Sequence, residues 1–156
     1  MCRWLAVSVA LLSFMVASPV MGRSLSDGGV TAQEVASVLQ EKGYKAQVTK
    51  DKDGDPLIRS ATGGNDFLVL YYECKGKPRC GSIQFYAGFK KQGISPARIA
   101  EWNATKRFGR AYLDADSDPR VEMDVDVEHG ATTEAIANDM ERWATVMTEF
   151  TKFIGW

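Results

Sequence analysis

Histidine is nearly absent from this chain, cysteine is scarce, and no apolar run is long; each shortage removes a class of function. There is one histidine, His129, and there are three cysteines among 156 residues. His129 stands before Gly130 with no zinc motif, nucleophile elbow or phosphate-binding loop around it, so it reads as a strand-end residue. The longest apolar stretch, Trp4 to Ala17, falls short of the ~20 residues that a membrane-spanning helix needs. No repeat at the usual periods and no low-complexity tract interrupts the sequence. Nor is there a basic excess: 19 Lys and Arg stand against 20 Asp and Glu, a balance that argues against a nucleic-acid binder. Nothing in this inventory calls for a metal, a cofactor or a catalytic centre.

What is present begins with "MCRWLAVSVALLSFMVASPVMG". Arg3, the apolar run, Pro19 and the small Gly22 form the three-part layout of a secretory signal. The spacing predicts a cut after Gly22, so residues 1–22 would leave as a signal peptide, taking Cys2 and Trp4 with them. The mature protein is then expected in the periplasm or outside the cell, with no membrane attachment. A short linker at 23–30 would lead into a single domain over 31–156, an ordinary size for one core.

The pattern along that domain predicts α+β order rather than alternating βαβ units. "VTAQEVASVLQEKGY" offers Thr31 as an N-cap, Glu34 three residues on, apolar Val35, Val38 and Leu39, and Gly43 as a stop, which is a first helix. Extended segments follow at Tyr44 to Lys50, Leu57 to Thr62, Phe67 to Cys74 and Ser82 to Phe89. Their connections "DKDGDP", "GGN" and "CKGKPRC" are turn-rich, as hairpins require. Ser95 and Pro96 open a second helix running to about Thr105. Strands at Arg110 to Asp114 and Arg120 to Val127 come next, around "ADSDP". A final helix carries Ile136, Met140, Trp143, Met147, Phe150 and Ile154 at steps of four and three, a stripe suited to covering a sheet; a short seam between two chains is the other use of such a stripe. The expectation is an antiparallel sheet of five to six strands with three helices, in the order α-β-β-β-β-α-β-β-α.

The segment "YYECKGKPRCGSIQF", Tyr71 to Phe85, holds the two cysteines of the mature chain. Facing each other across a hairpin, Cys74 and Cys80 would pair Leu68 with Tyr86, Val69 with Phe85, Leu70 with Gln84, Tyr71 with Ile83 and Tyr72 with Ser82. Opposed strand residues lie within the Cα span that a disulfide tolerates. A dithiol redox centre more often has two intervening residues at a helix N-terminus, whereas this pair has five, Pro78 among them. A metal would need further ligands, which a lone distant histidine does not provide. A structural staple is therefore the leading reading, with a thiol–disulfide oxidoreductase using Cys74 and Cys80 as the rival.

The same register sorts the hairpin into two faces. Phe67, Val69, Tyr71, Ile83, Phe85 and Ala87 form a core face. Leu68, Leu70, Tyr72 and Tyr86 form a second one, apolar enough to need cover. The second helix, through Ile99 and Trp102, is the expected cover; a partner or a second copy, giving a homodimer, is the alternative. In "RVEMDVDVEHG" Val121, Met123, Val125 and Val127 alternate with Glu122, Asp124, Asp126 and Glu128, so the acids are expected to form a solvated outer row, with cation or basic-segment binding as the sharper use. Lys106, Arg107 and Arg110 stand ready to neutralise part of it. "DKDGDP" and "DADSDP" are turns rather than calcium loops, because Pro56 and Pro119 occupy the sharp-turn glycine position.

The stretch "ISPARIAEWNATKRFGRAYLDADSDPRVEMDVDVEHGATTEAIANDMERW", with its "WN", its "RFGRAYLD" and its acidic strand before the last helix, resembles the YbjN family, described as bacterial sensory transduction regulators. The resemblance runs from about Gly29 to the end. It implies a fold like that of type III secretion chaperones, and a non-enzymatic regulatory or chaperone-like domain that binds a protein or peptide, with no catalytic residues to carry over. The export signal and the paired cysteines set this chain apart from cytoplasmic members. Physically, "WNATKRFGRAYLD" is a helix-to-strand corner in which Trp102 and Phe108 bury and Gly109 permits the bend. Asn103 and Arg107 are its candidate ligand contacts. The candidate binding surface is thus Leu68, Leu70, Tyr72, Tyr86, Trp102, Asn103 and Arg107.

Overall fold

The computed structural model of the chain describes residues 22–25, 28–74 and 78–156. The predicted leader, apart from Gly22, lies outside the described residues. The elements are α1 (Ala32–Glu41), β1 (Gln47–Lys50), β2 (Pro56–Thr62), β3 (Asn65–Tyr72), β4 (Ser82–Gly88), α2 (Pro96–Thr105), β5 (Arg110–Leu113), β6 (Pro119–Asp126) and α3 (Thr133–Ile154). The order is the one the sequence predicts.

Local chemistry accounts for the helix ends. The Glu34 amide donates to Thr31 Oγ1 at 3.2 Å and the Thr31 amide donates to Glu34 Oε2 at 2.9 Å, closing a capping box that satisfies two otherwise orphaned donors. Ser95 caps α2, with Pro96 in its first turn. Thr132 caps α3, which ends at Gly155 in the left-handed region. β1 is shorter than expected: the Tyr44 amide donates back to the Leu39 carbonyl, so Tyr44 to Ala46 close the end of α1 before pairing begins.

All six strands run antiparallel in the order β1-β2-β3-β4-β6-β5. β6 inserts between β4 and the edge strand β5. The β3–β4 register is Leu68 to Tyr86, Val69 to Phe85, Leu70 to Gln84, Tyr71 to Ile83 and Tyr72 to Ser82, as a Cys74–Cys80 bridge requires, and the two sulfurs are bonded.

One face of the sheet is the core. Phe67, Val69, Ile83, Phe85, Val121 and Ile58 are buried there beneath the α3 stripe of Ile136, Met140, Trp143, Met147, Phe150 and Ile154. Trp143 stacks on Phe85 at 5.8 Å between centroids and meets the edge of Phe67 at 6.0 Å, so α3 covers the sheet and no seam between chains is needed. Full burial of each such aromatic contributes roughly 2–3 kcal/mol. α2 lies in this same layer, since the Trp102 ring meets Phe150 at 4.9 Å and Phe153 at 5.3 Å, both on α3. The expected cover of the second face is therefore not provided by α2.

The described part of 23–30 is bound to the domain rather than free. Val30 and Cys80 exchange backbone hydrogen bonds, the Leu25 amide donates to the Ala131 carbonyl, and the Thr133 amide donates to the Arg23 carbonyl. Arg79 fastens the same place: Nε donates to the Gly29 carbonyl at 3.1 Å and its guanidinium reaches both Glu34 oxygens at 2.9 Å. Burial alone would push the Glu34 carboxyl up, but hydrogen bonds from Thr31 and Arg79 outweigh it and hold the carboxyl below its ordinary value. Gly29 is required here, because φ is +98° and an added Cβ would stand 2.0 Å from the Cys80 carbonyl oxygen.

Candidate functional site

All three helices share one layer, α1 and α2 each packing on α3, and among the described residues no helix or strand lies over the other face of the sheet. Strand alternation puts Leu57, Arg59, Leu68, Leu70, Tyr72, Gln84, Tyr86, Glu122, Asp124, Arg110 and Tyr112 on that face. One continuous cross-strand row runs Gln47, Arg59, Leu68, Tyr86, Glu122, Arg110. Leu68, Leu70 and Tyr86 are half-buried by their neighbours, while Tyr72 is 46% exposed and Tyr112 37%. The result is a tyrosine and leucine surface edged by charge.

Polar groups stitch this face together laterally. The Tyr72 hydroxyl lies 3.3 Å from Gln84 Oε1, and Gln84 Nε2 donates to Asp124 Oδ1 at 2.7 Å. Burial, with the nearby Glu122 and Asp124 charges, raises the Tyr72 phenol. The Tyr112 phenol is pushed up to about 12, chiefly by burial, with Tyr86 and Glu122 adding to it. Phenolate is disfavoured at Tyr72 and Tyr112, so these two present neutral hydroxyls over a wide pH range.

The acidic row departs from expectation. Glu122 is only 5% exposed: it is ion-paired with Arg110 and stands between Tyr86 and Arg110 on the flanking strands. Asp124 and Asp126 are exposed and Glu128 is half-buried beyond the strand end. Asp126 accepts from the Glu128 amide at 3.0 Å. Among the described residues no group of three or more His, Cys, Asp or Glu side chains is placed to hold a metal ion. The aspartate-rich turns bind their own backbone: Asp51 Oδ1 accepts from the Asp53 and Asp55 amides, and Asp114 Oδ1 from those of Asp116 and Asp118.

Of the seven residues expected to form a binding surface, four come together and three do not. Trp102 is fully buried in the helical layer, its ring N–H donating to the Gly109 carbonyl at 2.7 Å. Asn103 is turned onto the free edge of β5: its Nδ2 donates to the Ala111 carbonyl and its Oδ1 accepts from the Ala111 amide, both at 2.9 Å. The side chain thus occupies the hydrogen-bonding place of a neighbouring strand. Arg107 lies by Phe108 at 5.4 Å, with Arg142 at 4.7 Å from the same ring, in a cleft of the helical layer beside α3. Leu57, Arg59, Gln84 and Tyr112 belong to the open face and were missed. A signal for Arg59 existed, since the two-residue turn Gly63-Gly64 sets Thr62 opposite Asn65 and hence Arg59 opposite Leu68.

Cys80 is fully buried and Cys74 half-buried, a placement suited to a clamp. His129 is an exposed side chain 3.9 Å from Glu128. No helix among the described residues is long and apolar enough to cross a membrane.

The model of the YbjN family, with the description "Putative bacterial sensory transduction regulator", matches residues 31–156. The chain belongs to the YbjN family. The match begins at Thr31, the N-cap of α1, and runs through the C-terminal Trp156, so the open sheet face and the helical layer are both parts of the YbjN domain. No curated protein and no solved structure matches the chain.

Proposed function

We propose that this YbjN chain is an exported, non-catalytic regulatory module that works by binding a protein on the open face of its sheet. The observation that carries the reading is the undressed tyrosine and leucine surface of Leu68, Leu70, Tyr72, Tyr86 and Tyr112, opposite a layer that already holds all three helices. Contiguous apolar faces of this kind mark protein contacts when they stand on an otherwise well-packed domain. Aromatic rings with neutral hydroxyls suit such contacts, joining large buried area to a hydrogen-bonding tip. The description of the family as regulators agrees with binding rather than catalysis. Export rests on the leader pattern and on paired cysteines, which persist in oxidising compartments.

A photo-crosslinking residue placed at Tyr72 in the full chain, expressed in cells, tests the reading. Adducts are expected from Tyr72 and from Leu68, and not from Thr148, which is exposed on α3. Equal labelling from Thr148, or none from the sheet face, would count against it.

A further inference from the structure

A cleft of about 590 Å³ lies at one corner of the sheet, where the chain leaves α1 and enters β1 beside the β2–β3 hairpin. Arg59 stands opposite Leu68 and Ala61 opposite Asp66, and all four line it. Strand alternation puts these four side chains on one face. Arg59 and Asp66 are diagonal neighbours across the two strands, a relation that sets Cβ atoms roughly 7–8 Å apart. They are exposed, of opposite charge, and not joined to each other. Neither of them, nor Lys45 in the same lining, has an ion pair or side-chain hydrogen bond among the described residues. The wall opposite is built by the connection from α1. β1 pairs with β2 only from Gln47, opposite Arg59, so Tyr44 to Ala46 stand off from the sheet. Gln40 Nε2 donates to the Ala46 carbonyl at 2.9 Å and holds this connection in place. Ala46 and Ala61 are too small to fill the gap, and Leu68 gives it an apolar side.

We propose that this cleft binds a small zwitterion of the dipeptide class, its carboxylate on Arg59 and Lys45 and its ammonium on Asp66. The volume lies in the range of small-molecule sites, which join apolar lining to a few placed polar groups. Two free cations with one free carboxylate select against the simpler ligands: a bare anion would leave Asp66 unmatched, and a bare cation would face Arg59 and Lys45. Length agrees as well, since two extended residues span about 7 Å, close to the separation of Arg59 and Asp66. Charge-assisted hydrogen bonds at both ends fix such a ligand's direction, and an apolar side chain on it rests against Leu68. Gln47 and the Tyr44 ring complete the lining. The site goes beyond the protein-binding reading and does not depend on it, although Arg59 and Leu68 belong to both surfaces.

The test is calorimetric titration of the full mature chain with alanyl-leucine and leucyl-alanine at millimolar concentration, beside amide chemical shifts. At least one of the two is expected to bind, with shifts confined to residues 44–47, 59–61 and 66–68. Acetylating its amine or amidating its carboxylate should each weaken binding about tenfold, as should Asp66→Asn and Arg59→Gln. The losses should pair: Asp66→Asn becomes indifferent to acetylation and Arg59→Gln to amidation, a coupling that a folding defect would not produce. The two blocked dipeptides on the wild type test the same charges without any substitution. Failure of both free dipeptides to bind, shifts centred elsewhere, or affinity unmoved by blocking either end overturns the proposal. Crosslinking from Tyr72 is scored separately, so loss of the dipeptide site leaves the protein-binding reading standing, and the reverse also holds.

Discussion

Replacing Asn103 by Ala separates a structural side chain from a ligand contact. In the native fold the Asn103 amide satisfies both the N–H and the C=O of Ala111 at 2.9 Å. Each such bond contributes about 1 kcal/mol net. Alanine is a better helix former than asparagine by roughly 0.5 kcal/mol within α2, so the expected net loss is about 1.5 kcal/mol. For a domain of this size that lowers the melting temperature by roughly 3–6 °C. Asn103→Asp should cost more than Asn103→Ala, because it keeps the acceptor for the Ala111 amide but sets a carboxylate oxygen against the Ala111 carbonyl. Urea titration of the three proteins measures both losses, with the slope unchanged. Freed from its plug, β5 also gains an open edge, so the variants should aggregate sooner on heating. The reasoning is refuted if Asn103→Ala keeps wild-type stability, and doubly so if it loses partner binding at the same time.

Three further outcomes are expected. Cys74→Ala/Cys80→Ala should lower stability by about 2.4 kcal/mol in the loop-entropy account of a closed loop of about seven residues, measured by urea midpoint; an unchanged midpoint would show that the Val30–Cys80 backbone pair and Arg79 hold the hairpin without it. Ser60→Ala should raise stability by about 1 kcal/mol, since Ser60 Oγ is buried with no hydrogen-bond partner among the described residues, and a lower melting temperature would contradict this. Tyr112 ionises late, near 12 rather than its ordinary 10. A folded-state value above the unfolded one means that its contribution is whole below pH 10 and is lost as pH rises toward 12. Tyr112→Phe should therefore flatten the alkaline fall in stability and remove one tyrosine from the late phase of an absorbance titration.

Local chemistry was legible in the sequence where a few neighbouring residues decide it. The capping box of Thr31 and Glu34, the Ser95–Pro96 start of α2 and the stripe on α3 each depend on contacts within a few turns. The β3–β4 register was legible for a different reason: two cysteines seven positions apart, counted inclusively, fix every opposed pair behind them. Position in the sheet was not legible. Antiparallel pairing of β6 with both β4 and β5 makes β4 and β5 parallel, with β6 between them, so the link through α2 is a crossover whose hand confines the helix to one layer. No residue of α2 announces this, and Ile99 and Trp102 would suit either face. Glu122 was misread for a related cause. Alternation places it correctly on the outer face, but its neighbours there, Arg110 as ion-pair partner and Tyr86 on the other flank, come from strands distant in sequence.

Edges and faces of this sheet are treated in opposite ways, and that contrast constrains how the protein can associate. A bare strand edge invites any extended segment, because backbone groups recognise backbone groups without regard to sequence. Here Asn103 spends an amide on closing one edge, and the other is kept to four residues with Lys45, Lys50 and Lys52 about it. The broad face, by contrast, keeps leucines and tyrosines where polar residues would cost nothing in packing. Association through a face is read by side chains, so it can be selective. The charges around the patch sharpen that selectivity: exposed Arg59 stands at one end and exposed Asp124 at the other, so a face that presents a base to Arg59 or an acid to Asp124 is disfavoured. A partner suited to the proposed binding face would therefore carry an acid toward Arg59 and a base toward Asp124.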